Sequence, residues 1–143
     1  MNTTLRVLLF GVVSGVIWSV VPGTLAELFR SPGATATVIV SGVLSGVLTS
    51  FVLKTPLARF GRPGAAIFGV LSLPLGAFVF GAFLSLVQWA VLGRDLTPLD
   101  AGLNFAGFSV FSYFALVLFP LAVLTTFLLR AVIVSGSRHE NAA

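Results

Sequence analysis

The charged residues of this chain stand in five groups, and their spacing decides most of what the chain can fold into. Eight Lys and Arg and four Asp and Glu occur in 143 residues. They fall as Arg6; Glu27 and Arg30; Lys54, Arg59 and Arg62; Arg94, Asp95 and Asp100; and Arg130, Arg138 and Glu140. Between them lie four charge-free runs, 7–26, 31–53, 63–93 and 101–129, of 20, 23, 31 and 29 residues. A helix needs about 20 mainly apolar residues to cross a hydrocarbon core of about 30 Å. Every run reaches that length. A membrane strand would instead show segments of roughly ten residues that alternate polar and apolar. Helices also satisfy their own backbone hydrogen bonds where lipid offers none. The sequence therefore predicts an all-α integral membrane protein with a single domain over 1–143. It would be a four-transmembrane-helix bundle with short loops, its helices near 5–22, 34–53, 65–92 and 104–130.

Orientation follows from the cations. With both termini inside, Arg6, Lys54, Arg59, Arg62, Arg130 and Arg138 lie on the inner side, and only Arg30 and Arg94 on the outer. Lys and Arg accumulate in cytoplasmic loops. Cytoplasmic N and C termini are expected, in a cell membrane and specifically a bacterial inner membrane. Trp18 and Trp89 then fall toward the outer interface, where indole rings are favoured. The first run also admits a cleaved leader, with Arg6 as its positive start and Thr24-Leu25-Ala26 loosely like a cleavage site. We read it as a retained span.

Composition agrees with a membrane solvent. Hydrophobic residues make up 57% and charged residues 8%, against roughly 25% charged in a soluble domain. The pI near 11.3 does not signal nucleic acid, because that partner needs a dense basic patch or stripe. Cysteine is absent, which excludes disulfides, thiolate metal sites and cysteine nucleophiles.

The loops carry turn residues. Arg30-Ser31-Pro32-Gly33 centres the first, and Pro22-Gly23 interrupts the first span just before it. Residues 24–30 read either as a short interfacial helix, with Thr24 as N-cap and Glu27 at capping-box spacing, or as the frayed end of the first helix. The second loop, 54–64, places Lys54, Arg59 and Arg62 on the cytoplasmic side, to fix orientation or to meet anionic head groups. The third spans 94–102.

Within the spans, small residues recur. Gly11 and Gly15 lie four apart on the first helix. Ser41, Gly42, Ser45 and Gly46 continue into Thr49 and Ser50 on the second, forming a stripe on one face. Small residues let helices approach closely in lipid. A tight contact is expected between the first two helices or between protomers. Pro74 and Pro120 mark possible kinks. Phe105, Phe108, Phe111 and Phe114 recur every three residues and read as lipid-facing or packing residues, or as the lining of a site for a lipid, quinone or pigment.

Chemistry is hard to find. Acid–base catalysis needs titratable groups held at the reacting atoms, and none lies deep in a span. His139 stands alone in the tail. Asp95 and Asp100 share the outer loop, and Asp100 resembles a helix-start residue. The most polar candidates at the outer membrane edge are Glu27, Gln88 and Asn104. No enzyme activity, cofactor, metal or nucleic-acid partner is expected. The leading expectation is a non-catalytic accessory or structural subunit that packs against itself or a larger membrane complex. The alternative is a homo-oligomeric channel or transporter for a small neutral or hydrophobic solute. The lipid bilayer is the expected partner, with a second copy or another membrane protein, and no soluble substrate is identified.

Overall fold

The computed structural model describes residues 2–25 and 31–140, leaving aside the side chains of Pro22, Gly23, Leu25 and 137–140. These residues form five helices: α1 (Thr3–Leu25), α2 (Pro32–Arg59), α3 (Gly61–Leu92), α4 (Pro98–Phe111) and α5 (Ala115–Glu140). Four stretches are long and apolar enough to cross a membrane: Thr3–Val21, Pro32–Arg59, Gly61–Leu92 and Ala115–Gly136. The described residues are thus all-helical, with four helices of spanning length as the charge spacing implies and one helix more than the sequence predicts.

Local chemistry sets the ends. Asn2 opens α1, its Oδ1 accepting from Leu5 N at 2.9 Å. Helix α1 continues through Pro22-Gly23, which does not interrupt it. The Thr24 hydroxyl donates back to Val20 O at 2.8 Å and Val21 O at 3.0 Å, so Thr24 belongs to α1. Residues 26–30, including Glu27, lie outside the described residues. Ser31 caps α2, its Oγ accepting from Ala34 N at 3.3 Å, and Pro32 occupies the first turn. The Ser-Pro pair is therefore a helix start, where the missing proline N–H costs nothing, and not a turn centre.

The basic loop expected over 54–64 is almost absent. Helix α2 carries through Pro56 to Arg59, and Gly61, at φ 64°, turns the chain directly into α3. Lys54 and Arg59 thus stand on α2 and Arg62 on α3. The extension has a packing cause. Leu53 and Leu57, four residues apart on one helix face, join Val7, Ala65, Leu129 and Ile133 in a buried cluster. At the other end of α3, Gly93 at φ 63° closes the helix, its N–H donating to Trp89 O at 3.1 Å.

The fourth helix expected over 104–130 is broken. Ser112 takes extended backbone (φ −81°, ψ 155°) and ends α4, and α5 begins three residues later. The interruption falls at neither proline that promised a kink, since α3 and α5 run through Pro74 and Pro120. Both pieces pack on α3. Ser85 Oγ accepts from Thr97 N at 2.9 Å, and Phe80 meets Phe105 edge-on, centroids 5.2 Å apart. Further back along α3, Leu73 packs with Leu118 and Ala122. Helices α4 and α5 therefore lie in series, antiparallel to α3. The break also brings Phe108 and Phe114 to 6.4 Å, although six residues of unbroken helix would hold them on different faces.

Helix α1 reaches α5 as well as α2. Trp18 Nε1 donates to Thr125 Oγ1 at 3.3 Å, and Arg6 Nη1 to Ser135 Oγ at 3.3 Å. Contact between α1 and α2 is at backbone distance. A Cβ built on Gly11 would lie 2.7 Å from Val47 Cα, and one on Gly46 2.7 Å from Gly15 Cα. No side chain fits there without separating the helices. By contrast, a Cβ on Gly33 meets nothing within 4 Å. Gly46→Leu should lower the thermal stability of the detergent-solubilised protein by about 3 kcal/mol or more, at the upper end of overpacking costs. Gly33→Ala should leave it within about 0.5 kcal/mol of the parent, as for surface changes. Equal melting temperatures for the two variants would contradict the close contact.

Candidate functional site

Small residues of α2 serve two neighbours. Gly42 and Gly46 face α1, against Gly15, Ser19 and Gly11. Ser41 and Ser45, each one residue earlier, point elsewhere. Ser41 Oγ donates to Thr37 O at 2.6 Å, and Ser45 Oγ crosses to α3, donating to Gly76 O at 3.0 Å. The six residues Gly11, Gly15, Ser41, Gly42, Ser45 and Gly46 are thus engaged within one chain. A helix turns 100° per residue, so consecutive small residues can face different partners.

That division leaves a space behind it. A partly open cavity of about 150 Å³ is lined by residues of all five helices. Its apolar wall includes Phe10, Trp18, Leu73, Phe80, Phe105 and Leu118. Its polar wall consists of hydroxyls: Ser14, Ser19, Ser45, Thr49, Ser50, Ser72, Ser109, Thr125 and Thr126. No charged side chain lines it. Gly76 borders the cavity and is unlike the packing glycines, since a Cβ there would meet only Thr49 Oγ1, at 3.9 Å. The indole of Trp18 is turned inward, closing the wall between α1 and α5 through its bond to Thr125. Its role is thus packing and closure, whatever its depth in the bilayer.

Most of these hydroxyls have spent their proton. Each carries one O–H donor and two lone pairs. Ser14, Ser19, Ser109 and Thr125 donate to backbone carbonyls of their own helices, at 2.7–3.3 Å. Such back-bonding is the usual answer for Ser and Thr inside a helix. Ser72 donates to Gly69 O at 2.8 Å and Thr126 to Ala122 O at 2.9 Å. The two oxygens then face each other across α3 and α5 at 3.4 Å. Thr49 Oγ1 is covered and has no partner among the described residues.

Of the polar residues expected at the outer edge, the two described ones, Gln88 and Asn104, do not converge. Gln88 lines an open recess with Ser85, Gly93, Arg94, Asp95 and Thr97. Asn104 points outward from α4, and Glu27 is outside the described residues. At the opposite end, Lys54 Nζ donates to Thr4 Oγ1 at 3.2 Å, while Arg59 and Arg62 are exposed. Among the described residues no three His, Asp or Glu gather as a metal site would require.

Sequence reasoning assigned Ser72, Ser109, Thr125 and Thr126 to no site. Hydroxyls scattered one or two per turn in apolar helices look like packing residues, and only the assembled helices reveal that they share a cavity. One signal was available: outside the small-residue stripe of α2, few polar side chains occur at mid-span. No protein family, curated protein or solved structure matches the chain.

Proposed function

We propose that this is a non-catalytic multi-span membrane protein that binds a small neutral, largely apolar molecule in its central cavity. The observation that carries the reading is a void of about 150 Å³ with aromatic and hydroxyl walls and no charge. Ligand sites are usually concave and mostly apolar, with a few placed polar groups. A charged guest would be costly there, because a buried ion needs a compensating partner. A void near this volume holds one aromatic ring. The solute class is the small neutral or hydrophobic one, and a homo-oligomeric channel or carrier would use the same cavity as its way station.

Gly76→Leu provides the test. The position has room, so leucine enters the cavity instead of prising helices apart. Replacing a helical glycine is worth about 1 kcal/mol, and filling a void adds to it. The variant should melt higher than the parent and lose saturable quenching of Trp18 by small aromatic guests, read in a Trp89→Phe background. A stable variant that still binds as the parent does would refute the reading.

The bilayer orientation belongs to the same proposal. Arg6, Lys54, Arg59, Arg62 and Arg130 cluster toward the end of the molecule opposite Arg94 and Asp95, which favours cytoplasmic termini by the distribution of Lys and Arg. The chain has no cysteine, so any engineered thiol is unique. A membrane-impermeant maleimide should label Leu96→Cys in intact cells and spare Arg62→Cys until the cells are opened. The reverse pattern would invert the topology.

The accessory-subunit reading has a separate observation behind it. At the junction 112–114, Phe111, Tyr113 and Leu116 are 89%, 95% and 81% exposed. Non-helical backbone at membrane depth persists only against protein or a water-lined cavity. A photo-crosslinking residue at Tyr113 should capture a protein of one defined mass in native membranes, either a second copy or a larger partner. Cross-links to lipid alone would remove this support.

A further inference from the structure

Resting on the proposed cavity-binding reading, we infer that the guest is a hydrogen-bond donor, a small apolar molecule with one O–H or N–H, and that Ser72 and Thr126 receive it. The geometry is specific. Ser72 Oγ and Thr126 Oγ1 lie 3.4 Å apart and either could donate to the other, but only weakly, since a strong O–H···O bond spans 2.5–3.0 Å. Each proton is already engaged at shorter range, by Gly69 O at 2.8 Å and Ala122 O at 2.9 Å. A hydroxyl has one proton to give. With both protons held on those carbonyls, the pair presents oxygen lone pairs to the cavity. Thr126 is 2% exposed, Ser72 is half-buried, and both residues line the cavity. A donor entering from the cavity can bridge both oxygens, while its apolar body rests on Phe80, Phe105 and Leu118. An acceptor-only guest, an ether or a ketone, gains nothing from this pair.

Phenol and toluene separate the possibilities, since they share a shape and differ by a hydroxyl for a methyl. Binding is read as saturable quenching of Trp18 in the Trp89→Phe background, in nanodiscs, with each probe corrected for its partition into the same lipid. Phenol should bind roughly three- to tenfold more tightly than toluene, as one net hydrogen bond allows. In the double variant Ser72→Ala/Thr126→Val that preference should vanish while toluene still binds, which shows that the cavity has survived. Equal binding of both probes to the parent would overturn the donor inference and leave the cavity-binding reading standing. Phenol preference that persists in the double variant would overturn it too, by placing the contact elsewhere on the wall, for instance at Ser50. Failure of both probes, with Gly76→Leu indistinguishable from the parent, would sink the cavity-binding reading itself and this inference with it.

Discussion

Helices in lipid gain little by hiding leucine from one another, because the surrounding tails are equally apolar. What holds α1 to α2 is the approach of their backbones at Gly11, Gly15, Gly42 and Gly46, where a single added carbon would collide with main-chain atoms. The rest of the architecture is arranged around that pair. With the two backbones in contact on one side, the next faces of α2 turn Ser41 and Ser45 away, and Ser45 reaches the carbonyl of Gly76 on α3. The larger side chains of α3, α4 and α5 cannot follow the glycines into the crossing. They stay outside it, and the cavity lies beside that crossing.

Helix α3 is the second organising element. At 32 residues it is long enough to serve α5 along one half and α4 along the other. Gly69 meets Val123 and Gly81 meets Ala101, both at backbone distance. A straight α4–α5 rod would have to keep one face on α3 through both contacts. The extended backbone at Ser112 releases that constraint, and each piece takes its own close approach. The consequence is outward exposure of Phe111 and Tyr113, the feature that most resembles an unfinished surface.

Most hydroxyls inside the fold have partners within it, Thr49 being an exception. Hydroxyls donate to carbonyls of their own or a neighbouring helix, and the indole of Trp18 donates to Thr125. Charges remain near the helix ends, where Lys54 and Arg6 find hydroxyls on neighbouring helices. A cavity built on these terms has lone pairs to offer and no charge. That combination supports recognition of a neutral guest and gives no support to acid–base chemistry.

How much of this was legible in the sequence depends on the range of the interaction. The four long apolar helices could be read from where Arg6, Lys54, Arg94 and Arg130 interrupt the apolar runs, because the cost of charge in hydrocarbon acts residue by residue. The glycine spacings announced close contacts for the same local reason, although one helix alone could not say whether its partner was in the same chain. The ends of helices were less legible. Pro56 and Pro22 looked like boundaries, yet α1 and α2 pass through them, and for α2 the burial of Leu53 and Leu57 outweighs the lost backbone bond. The break at Ser112 was invisible, since it answers to two separate contacts with α3 and not to any helix-breaking residue. The cavity was hidden for the same reason. Ser72 and Thr126 stand 54 positions apart, and nothing local records that they face each other. The sequence by itself therefore determined the apolar helices and where charge could not go, through per-residue transfer costs. Only the tertiary structure decided which small residues meet, where a helix must break and which hydroxyls share a void, because those depend on distances between elements that no single segment contains.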